Sequence, residues 1–352
     1  MQRLTVLSIA YPLAPVSPDA VGGSEQVLSS LDRALVAAGH RSIVIACEGS
    51  AVAGELWSFP APPKDRPIDN SIQWAGQEAI HRLTAEVVRC RNVDLIHMHG
   101  FDYEACLPPP GIPVLATLHL PPEWYPPGAL APGRDGIWVN CVSESQMRRM
   151  PPGPRLLPPI PNGVPVAQLG AVQPRKCRYA LMLARVCPEK GLHLALDAAR
   201  VAEVPMLLAG EVFPYAAHQD YFHAEVVPRL DRRRRYLGPV GFSQKRRLLA
   251  AARCLLVPSL VAETSSLVAM EAASCGTPVI AFRNGALPEV VEDGRTGFLV
   301  DDAEGMAAAI RRVDMIDPAA CRETARRRFS IEQMAAAYIE RYRMLARVAA
   351  PA

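Results

Sequence analysis

The sequence lacks an excess of charge of either sign, and it has no long apolar run. Lys and Arg number 38 against 35 Asp and Glu, a formal net charge of +3. This balance is too even for a protein whose main partner is nucleic acid or an anionic membrane. No apolar run reaches the roughly 18 residues that a membrane-spanning helix needs. We therefore expect a cytoplasmic chain without a nucleic-acid partner; peripheral membrane contact stays open and is not favoured.

Three familiar binding motifs are also missing. The nine cysteines are odd in number and none forms a C-x-x-C pair, so we interpret them as reduced, mostly buried thiols without a metal site. No G-x-G-x-x-G follows the first apolar segment, which weakens a dinucleotide-dependent dehydrogenase. No D-x-D occurs either. We expect neither a metal nor a cofactor.

Short apolar segments alternate with amphipathic helical patterns along the whole chain. This alternation predicts an α/β protein with parallel sheets covered on both faces. It runs twice, so the 352 residues are expected to form two Rossmann-like domains, 1–165 and 166–352, facing across a cleft, with the last helix crossing back to the first domain. The Pro-rich segment 150–174 is the linker candidate. The predicted strands are 4–11, 41–48, 93–99, 113–119 and 137–143, then 178–186, 205–211, 236–240, 253–259, 277–282 and 296–300.

Functional side chains are sought directly after strands, because open parallel sheets bind ligands at the carboxyl ends of their strands. After the first strand, Gly22 and Gly23 precede a helix that Ser24 could cap. Paired glycines allow a ligand close to the backbone, and helix N–H groups attract anions. A simple tight turn explains the pair equally well.

Three histidines lie at strand ends. A lone histidine is more often structural than catalytic, but the position of His119 at the end of the segment "PVLATLH" raises the odds of a role in the cleft. His97 and His99 lie on one side of their strand and could form a metal pair. Because no third ligand is identifiable, packed histidines are the favoured interpretation.

Two cations follow the strand "RYALMLARV". Arg185 and Lys190 lie beside Gly191, where the next helix begins. Two fixed cations next to helix N–H groups are suited to a diphosphate. The alternative is a pair of solvated surface charges, which their joint position after a strand disfavours.

Two glutamates with seven residues between them occupy the segment "VAETSSLVAMEAASCGTPVIA". Glu263 is predicted in a loop after a strand, and Glu271 about two turns into a helix that Ser265 or Ser266 could cap. A carboxylate in an apolar helix needs a partner, because burying a lone charge is costly. Sugar or ribose hydroxyls are one candidate, and a neighbouring Arg or Lys is the other.

Together these motifs resemble the family-4 retaining glycosyltransferases of the GT-B fold. The resemblance rests on the glycine pair, on His119, on "LARVCPEKG", on the E-x7-E of Glu263 and Glu271, and on "GTPVIAFRNGALPEVVEDGRTGFLV". It covers nearly the whole chain in the family's order. The chain departs from it at "TSS", 264–266, where the family commonly has Phe-Gly or similar, which leaves the donor sugar open.

The resemblance implies a role for each matched residue. Arg185 and Lys190 would bind the donor diphosphate, Glu271 the ribose hydroxyls and Glu263 the donor sugar, while His119 would face the reacting sugar. The catalytic set is then His119, Arg185, Lys190 and Glu263. The donor-binding set is Gly22, Gly23, Arg185, Lys190, Val240, Glu263, Thr264, Ser265, Ser266, Leu267 and Glu271.

The implied activity is transfer of a hexose from a nucleotide diphosphate sugar to an acceptor hydroxyl, with retention and without a required metal. UDP is the nucleotide expected first. The acceptor is a glycan, a glycolipid precursor or a small molecule. The alternatives are a GT-B sugar-nucleotide epimerase and a non-catalytic nucleotide-sugar-binding subunit. The loop bearing Trp124 and Tyr125 is a candidate acceptor lip. The basic run 229–235 is interpreted as solvated, not as a lipid contact.

Overall fold

The computed structural model describes residues 3–20, 22–63, 68–153 and 155–348. The chain divides into two compact units, one formed by Met1–Asn162 with Ile331–Ala352 and the other by Gly163–Ser330. The boundary drawn from the sequence, after residue 165, lies slightly later. None of the described helices is both long enough and apolar enough to cross a membrane.

The first unit is built on a seven-stranded sheet in which every recorded pairing is parallel, in the order β3-β2-β1-β4-β5-β6-β7. The interior strands are buried on both faces, as their continuous apolar runs predict. β3 and β7 were not predicted, because β3 is a short edge strand without strict alternation of polar and apolar residues and β7 has two residues. The strands are β1 Thr5–Ile9, β2 Arg41–Cys47, β3 Glu55–Phe59, β4 Leu95–Met98, β5 Val114–Thr117, β6 Ile137–Asn140 and β7 Leu156–Leu157.

Five α-helices belong to the described part of this unit. The predicted cap of the first helix was wrong: Ser24 lies inside α1, whose N-cap is Gly22 without a side-chain hydrogen bond. Asp69 does cap α2, accepting from the backbone N–H groups of Ser71 and Ile72. The helices are α1 Gly23–Ala37, α2 Asn70–Cys90, α3 Pro127–Leu130, α4 Glu144–Met147 and α13 Ile331–Val348.

The second unit is built on a parallel six-stranded sheet in the order β10-β9-β8-β11-β12-β13. All six strands were predicted, but β10 ends at Tyr236, where the predicted strand began. The predicted strand contained Gly238, whose φ of +74° interrupts extended backbone. The strands are β8 Ala180–Leu183, β9 Met206–Ala209, β10 Arg234–Tyr236, β11 Cys254–Val257, β12 Val279–Phe282 and β13 Gly297–Val300.

Eight α-helices cover the second sheet in the described residues. The predicted linker 150–174 is not unstructured throughout, because it contains β7 and α5. The two sheets with their helices confirm the α/β class and the Rossmann-like character of both units. The helices are α5 Val166–Gly170, α6 Leu192–Val201, α7 Ala216–Tyr221, α8 Phe242–Ala251, α9 Leu267–Ser274, α10 Leu287–Val290, α11 Ala303–Arg312 and α12 Pro318–Arg328.

A buried polar network fastens α13 to the sheet of the first unit. Thr117 donates its hydroxyl proton to Asn140 Oδ1 at 2.8 Å, so at 2.7 Å its oxygen must accept from His97 Nε2. His97 Nδ1 is then the acceptor for the Tyr342 hydroxyl, also at 2.7 Å. The Tyr338 hydroxyl lies 3.1 Å from the Thr117 oxygen. Each bond is shielded from water, so the network holds α13 in one position.

Replacing Tyr342 by Phe should lower the free energy of unfolding by about 1–3 kcal/mol, because His97 Nδ1 becomes a buried acceptor without its donor. The measurement is the midpoint of urea unfolding. The matched control is Tyr215→Phe, since Tyr215 is 47% exposed and its hydroxyl has access to water. Equal stability of the two variants would contradict the role given to the network.

Candidate active site

Arg185 and Lys190 lie at the carboxyl edge of the second sheet, as predicted. A 3-10 turn, Pro188–Lys190, follows β8, and Gly191 joins it to α6 with a φ of +65°. A Cβ at Gly191 would lie 2.3 Å from the Pro258 oxygen. Leu260 donates its N–H to the Glu189 oxygen at 2.8 Å. These contacts therefore hold the turn after β8 against the loop after β11, which carries Glu263.

Lys190 and Glu263 form an ion pair. Lys190 Nζ lies 2.6 Å from Glu263 Oε1, and the side chains are 24% and 11% exposed. The two residues, predicted to bind different parts of a ligand, are in direct contact with each other. The pair fixes the position of both groups, since each is the other's charge-assisted hydrogen-bond partner.

Arg185 differs from Lys190 in its surroundings. In the described part of the chain it makes no ion pair within 4.0 Å, although its charge acts on Cys187, Glu189 and His218. It is partly buried at the strand end. An arginine fork without a carboxylate partner is suited to accept an anionic ligand.

The loop carrying Glu263 is held by a residue that the sequence analysis did not select. Ala286 donates its N–H to the Glu263 oxygen at 2.7 Å. Gly285 has a φ of +57°, and a Cβ there would lie 2.3 Å from the same oxygen. The dipeptide "NG" in "FRNGALPE" was the available signal, because it marks a left-handed turn.

The start of α9 differs from the prediction. The helix begins at Leu267 with Ser266 as its N-cap residue, but neither predicted serine caps it in the described structure: Ser266 makes no side-chain cap bond, and the Ser265 hydroxyl is buried without a partner. Thr264 is buried beside them. The first N–H groups of a helix lack intrahelical acceptors, so this end offers backbone donors to an anion.

Glu271 pairs with a lysine; a neighbouring Arg or Lys was the second of the two partners considered for it. Lys245 Nζ on α8 lies 2.6 Å from Glu271 Oε1, and the side chains are 15% and 5% exposed. Lys245 was not selected from the sequence, where it is one charge among several in "SQKRRLL". Val240 lies in the loop between β10 and α8, and so follows the carboxyl end of a strand like the other selected residues. A hydroxyl role for Glu271 stays a prediction.

Gly22 and Gly23 form the beginning of α1 in the first unit. A Cβ at Gly22 would lie 1.9 Å from Glu25 Oε2, the movable end of a side chain, and Gly22 has a φ of −78°, so neither space nor backbone conformation requires glycine there. Glu25 itself is 4% exposed. Its negative charge near the helix N-terminus disfavours a second anion at this end. The Glu25 charge argues against a phosphate at this end, and the role of the glycine pair stays a prediction.

His119 follows β5 by two residues and does not end the strand as predicted. The Tyr125 hydroxyl accepts from the backbone N–H groups of His119 and Leu120, at 3.0 and 3.2 Å. Gln146 donates to the carbonyl oxygens of Leu118 and Leu120, both at 2.9 Å. The backbone on each side of His119 is thus held by side chains that the sequence did not reveal. Burial lowers the pKa of His119 to about 4, so the ring is neutral near pH 7.

The candidate acceptor lip and the histidine pair are now located. Tyr125 is buried and anchors its loop, whereas Trp124 is 46% exposed. His97 uses both ring nitrogens in the network with Thr117 and Tyr342, which fits a packed histidine and leaves no nitrogen for a metal. His99 lies against it, with the ring centroids 3.9 Å apart.

One group of metal-ligating side chains occurs among the described residues, where the sequence predicted none. Ligand atoms of Cys187, Glu189 and His218 lie within 4.8 Å of one another. Burial raises the pKa of Cys187 to about 11, so it is a protonated thiol, and it shares a hydrogen bond with Glu189. The cluster is suited to a thiophilic ion in composition, while the positive charge of Arg185 opposes a cation there.

The cysteines and the basic run follow their predicted interpretations in part. All nine cysteines are unpaired thiols and seven are buried. The run 229–235 is largely engaged within the second unit: Arg229 pairs with Asp197 and Glu225, and Arg234 with Asp231. Arginines already paired in this way are less available to an anionic lipid.

Comparison with known proteins matches both units to glycosyltransferases. The profile described as "Glycosyl transferases group 1" matches residues 177–313, and "Glycosyltransferase Family 4" matches residues 21–167. A glycogen synthase of Mycobacterium tuberculosis (strain ATCC 25618 / H37Rv) is 33% identical over 393 residues, covering 92% of this chain and 88% of that relative.

Other similarities are partial in sequence or structural. A phosphatidyl-myo-inositol mannosyltransferase of Mycolicibacterium smegmatis is 35% identical over 164 residues, 43% of this chain and 41% of the relative. The chain thus aligns with less than half the length of this relative. The crystal structure of AviGT4, a glycosyltransferase involved in avilamycin A biosynthesis, superposes with a TM-score of 0.74 at 25% identity and covers 98% of both chains.

The Glu271–Lys245 pair yields a stability prediction. Replacing Lys245 by Met should cost about 3–5 kcal/mol, because Glu271 keeps its charge in a buried position without a counter-ion. The double variant Lys245→Met with Glu271→Gln should regain much of that loss. Denaturant unfolding of the three proteins is the measurement.

The control for this experiment is Arg295→Ala. Arg295 is 44% exposed and pairs with Glu323, which is 63% exposed, and with Glu292, which keeps Arg327 and Arg328 as partners, so its loss should cost at most about 1 kcal/mol. A Lys245→Met variant as stable as Arg295→Ala would show that the buried pair contributes nothing to folding.

Proposed function

Because this chain belongs to the family-4 glycosyltransferases of the GT-B fold, we propose that it transfers a hexose-type sugar from a nucleotide diphosphate sugar to an acceptor hydroxyl with retention. UDP is the first choice of nucleotide, since it is frequent in the family. The acceptor is a glycan, a glycolipid precursor or a small molecule. Nucleotide sugars and reduced thiols both suit the cytoplasm, where we place the reaction.

The proposal rests on the contact between the turn after β8 and the loop after β11. It brings Arg185, Lys190 and Glu263 to one edge of the second sheet, beside the start of α9. Transfer from a sugar diphosphate builds negative charge on the departing phosphate. Fixed cations and helix N–H groups stabilise that charge without reorganisation during the reaction.

The contacts are consistent with separate roles for these residues toward different parts of the donor. Lys190 already orients the Glu263 carboxylate, whose second oxygen can accept from a sugar hydroxyl while the ammonium meets a phosphate oxygen. Glu271, held by Lys245, offers its other oxygen to ribose hydroxyls. Neutral His119 can hydrogen-bond the reacting sugar without adding charge.

The retaining outcome is assigned to front-face attack. A double displacement needs a carboxylate nucleophile at the anomeric carbon, and Glu263 is engaged by an ammonium at 2.6 Å. Pairing with Lys190 lowers the nucleophilicity of that carboxylate. The leaving diphosphate, held by Arg185 and Lys190, then serves as the group that guides the acceptor hydroxyl to the same face.

Two alternatives use the same donor site. A sugar-nucleotide epimerase would release free sugar without an acceptor, and a binding subunit would retain affinity without turnover. Both cations and both glutamates are present, and ion pairs hold Lys190 and the two glutamates in place, which favours turnover over simple binding. Product analysis with and without acceptor extracts separates the three.

Replacing Lys190 by Ala should abolish the thermal stabilisation by the cognate nucleotide in a panel of UDP, GDP, ADP and their sugar conjugates. Ligand at a hundred times its Kd adds about 2.7 kcal/mol to wild-type stability. Arg185→Ala should lower turnover by about a hundredfold or more. Arg295→Ala is the control for loss of a cation. No ligand response in the wild-type protein would remove the donor-site assignment.

The two glutamates should respond differently to the sugar. Glu271→Ala should raise the Kd of the bare nucleotide, because its proposed contacts are to ribose. Glu263→Ala should weaken the sugar-bearing donor more than the bare nucleotide. Calorimetric titration with both ligands measures each effect, and the opposite pattern would exchange the two roles.

Turnover should continue in excess chelator, because the proposed chemistry uses protein cations alone. Initial rates with and without chelator are the measurement. If chelator abolishes turnover and added metal restores it, metal independence is wrong. Cys187→Ser then tests whether the cluster with Glu189 and His218 holds the ion.

A further inference from the structure

His99 and His119 form a hydrogen-bonded pair at the carboxyl edge of the first sheet. His99 follows β4 directly and His119 follows the neighbouring β5. His99 Nδ1 lies 3.1 Å from His119 Nε2, and the two rings are nearly parallel at 17°. The contact joins the residue proposed to face the sugar to one that so far has no role.

Both rings are neutral, because burial lowers the pKa of His119 to about 4 and that of His99 well below its ordinary value. Each ring therefore carries one proton. Of the two facing nitrogens, one must donate and the other accept. The surroundings of Nε2, the other nitrogen of the His99 ring, decide which of the two facing nitrogens donates.

His99 is 2% exposed, and its Nε2 is buried with no hydrogen-bond partner in the described structure. His97, whose ring packs against it at a tilt of 46°, uses both its nitrogens elsewhere. If His119 donated from Nε2, His99 would have to carry its own proton on the unpartnered Nε2. A buried N–H without an acceptor is costly and rare, and a bare lone pair is tolerated more readily. His99 Nδ1–H is therefore the donor, and His119 Nε2 the acceptor.

We propose that His99 is a positioning residue that holds His119 in the Nδ1–H tautomer. His119 then meets the donor sugar as a hydrogen-bond donor from Nδ1 and does not act as a base through that nitrogen. The second statement rests on the proposed function, whereas the tautomer itself does not.

Nitrogen-15 NMR of the histidine rings in the full chain tests the tautomer without any substrate. His119→Gln identifies the His119 resonances among those of the eight histidines. The wild-type protein should show His119 protonated at Nδ1. Protonation at Nε2 would overturn the proposal before any variant of His99 is made.

Two substitutions of His99 extend the test. Asn carries an amide N–H on Cγ, where His99 carries Nδ1, so His99→Asn should keep the His119 tautomer. His99→Phe keeps a ring but removes the donor, so the His119 proton should move partly or wholly to Nε2. An unchanged tautomer in His99→Phe would overturn the positioning role.

Two other histidines report whether the fold is intact. His40 Nδ1 accepts from the Leu4 N–H at 3.0 Å, and His97 donates from Nε2, so both should stay protonated at Nε2 in every variant. With these signals unchanged, a shift at His119 cannot be attributed to unfolding.

Turnover separates this inference from the proposed function. His99→Phe should lower kcat about ten- to a hundredfold with little change in donor KM, and His99→Asn should recover most of it. If the tautomer shifts as expected and kcat does not change, the positioning of His119 stands and its role at the reacting sugar is wrong. Donor-induced thermal stabilisation should be the same in all three proteins.

Discussion

The candidate donor site depends on one close approach, the contact of the turn 187–191 with the loop 258–263. Gly191 passes so near the Pro258 oxygen that a Cβ would be 2.3 Å from it. That approach lets Leu260 bond to the Glu189 oxygen and Lys190 reach Glu263. Two loops that follow adjacent strands of a parallel sheet thus become one rigid surface. Without it, the two charges would be ordinary solvated side chains whose pairing contributes little.

The sequence predicted where functional groups lie better than it predicted their partners. Short apolar runs identify the strands. Arg185, Lys190 and Glu263 were selected because they follow strand ends, where parallel sheets bind ligands. The partner of Glu271 could not be identified this way, since Lys245 lies 26 residues away on another helix. Nothing in "SQKRRLL" distinguishes the one lysine that turns inward. Pairing across elements is decided by tertiary geometry, which periodicity does not contain.

The same limit explains the errors at element ends. Ser24 and Ser266 satisfy the composition of a helix cap, but neither caps its helix with its side chain, because Gly22 and the local φ and ψ angles decide where the first turn begins. β3 was missed because the strand is short and its exposed position Leu56 is apolar, so the sequence lacks the alternation that identifies a half-buried strand. The network of His97, Thr117 and Tyr342 was also invisible, as its members are far apart in the sequence.

The Lys190–Glu263 pair has a consequence for specificity. In the free protein each charge satisfies the other, so a bare phosphate that takes the ammonium leaves the carboxylate, 11% exposed, with a weakened partner. A ligand that brings both a phosphate oxygen and a hydroxyl donor replaces both halves of the pair and leaves neither group unsatisfied. Leaving a buried charged group without its partner costs more free energy than one additional contact gains. We therefore expect the pair to favour the proposed sugar-bearing diphosphate over free phosphate, because an incomplete ligand leaves one of the two groups unsatisfied.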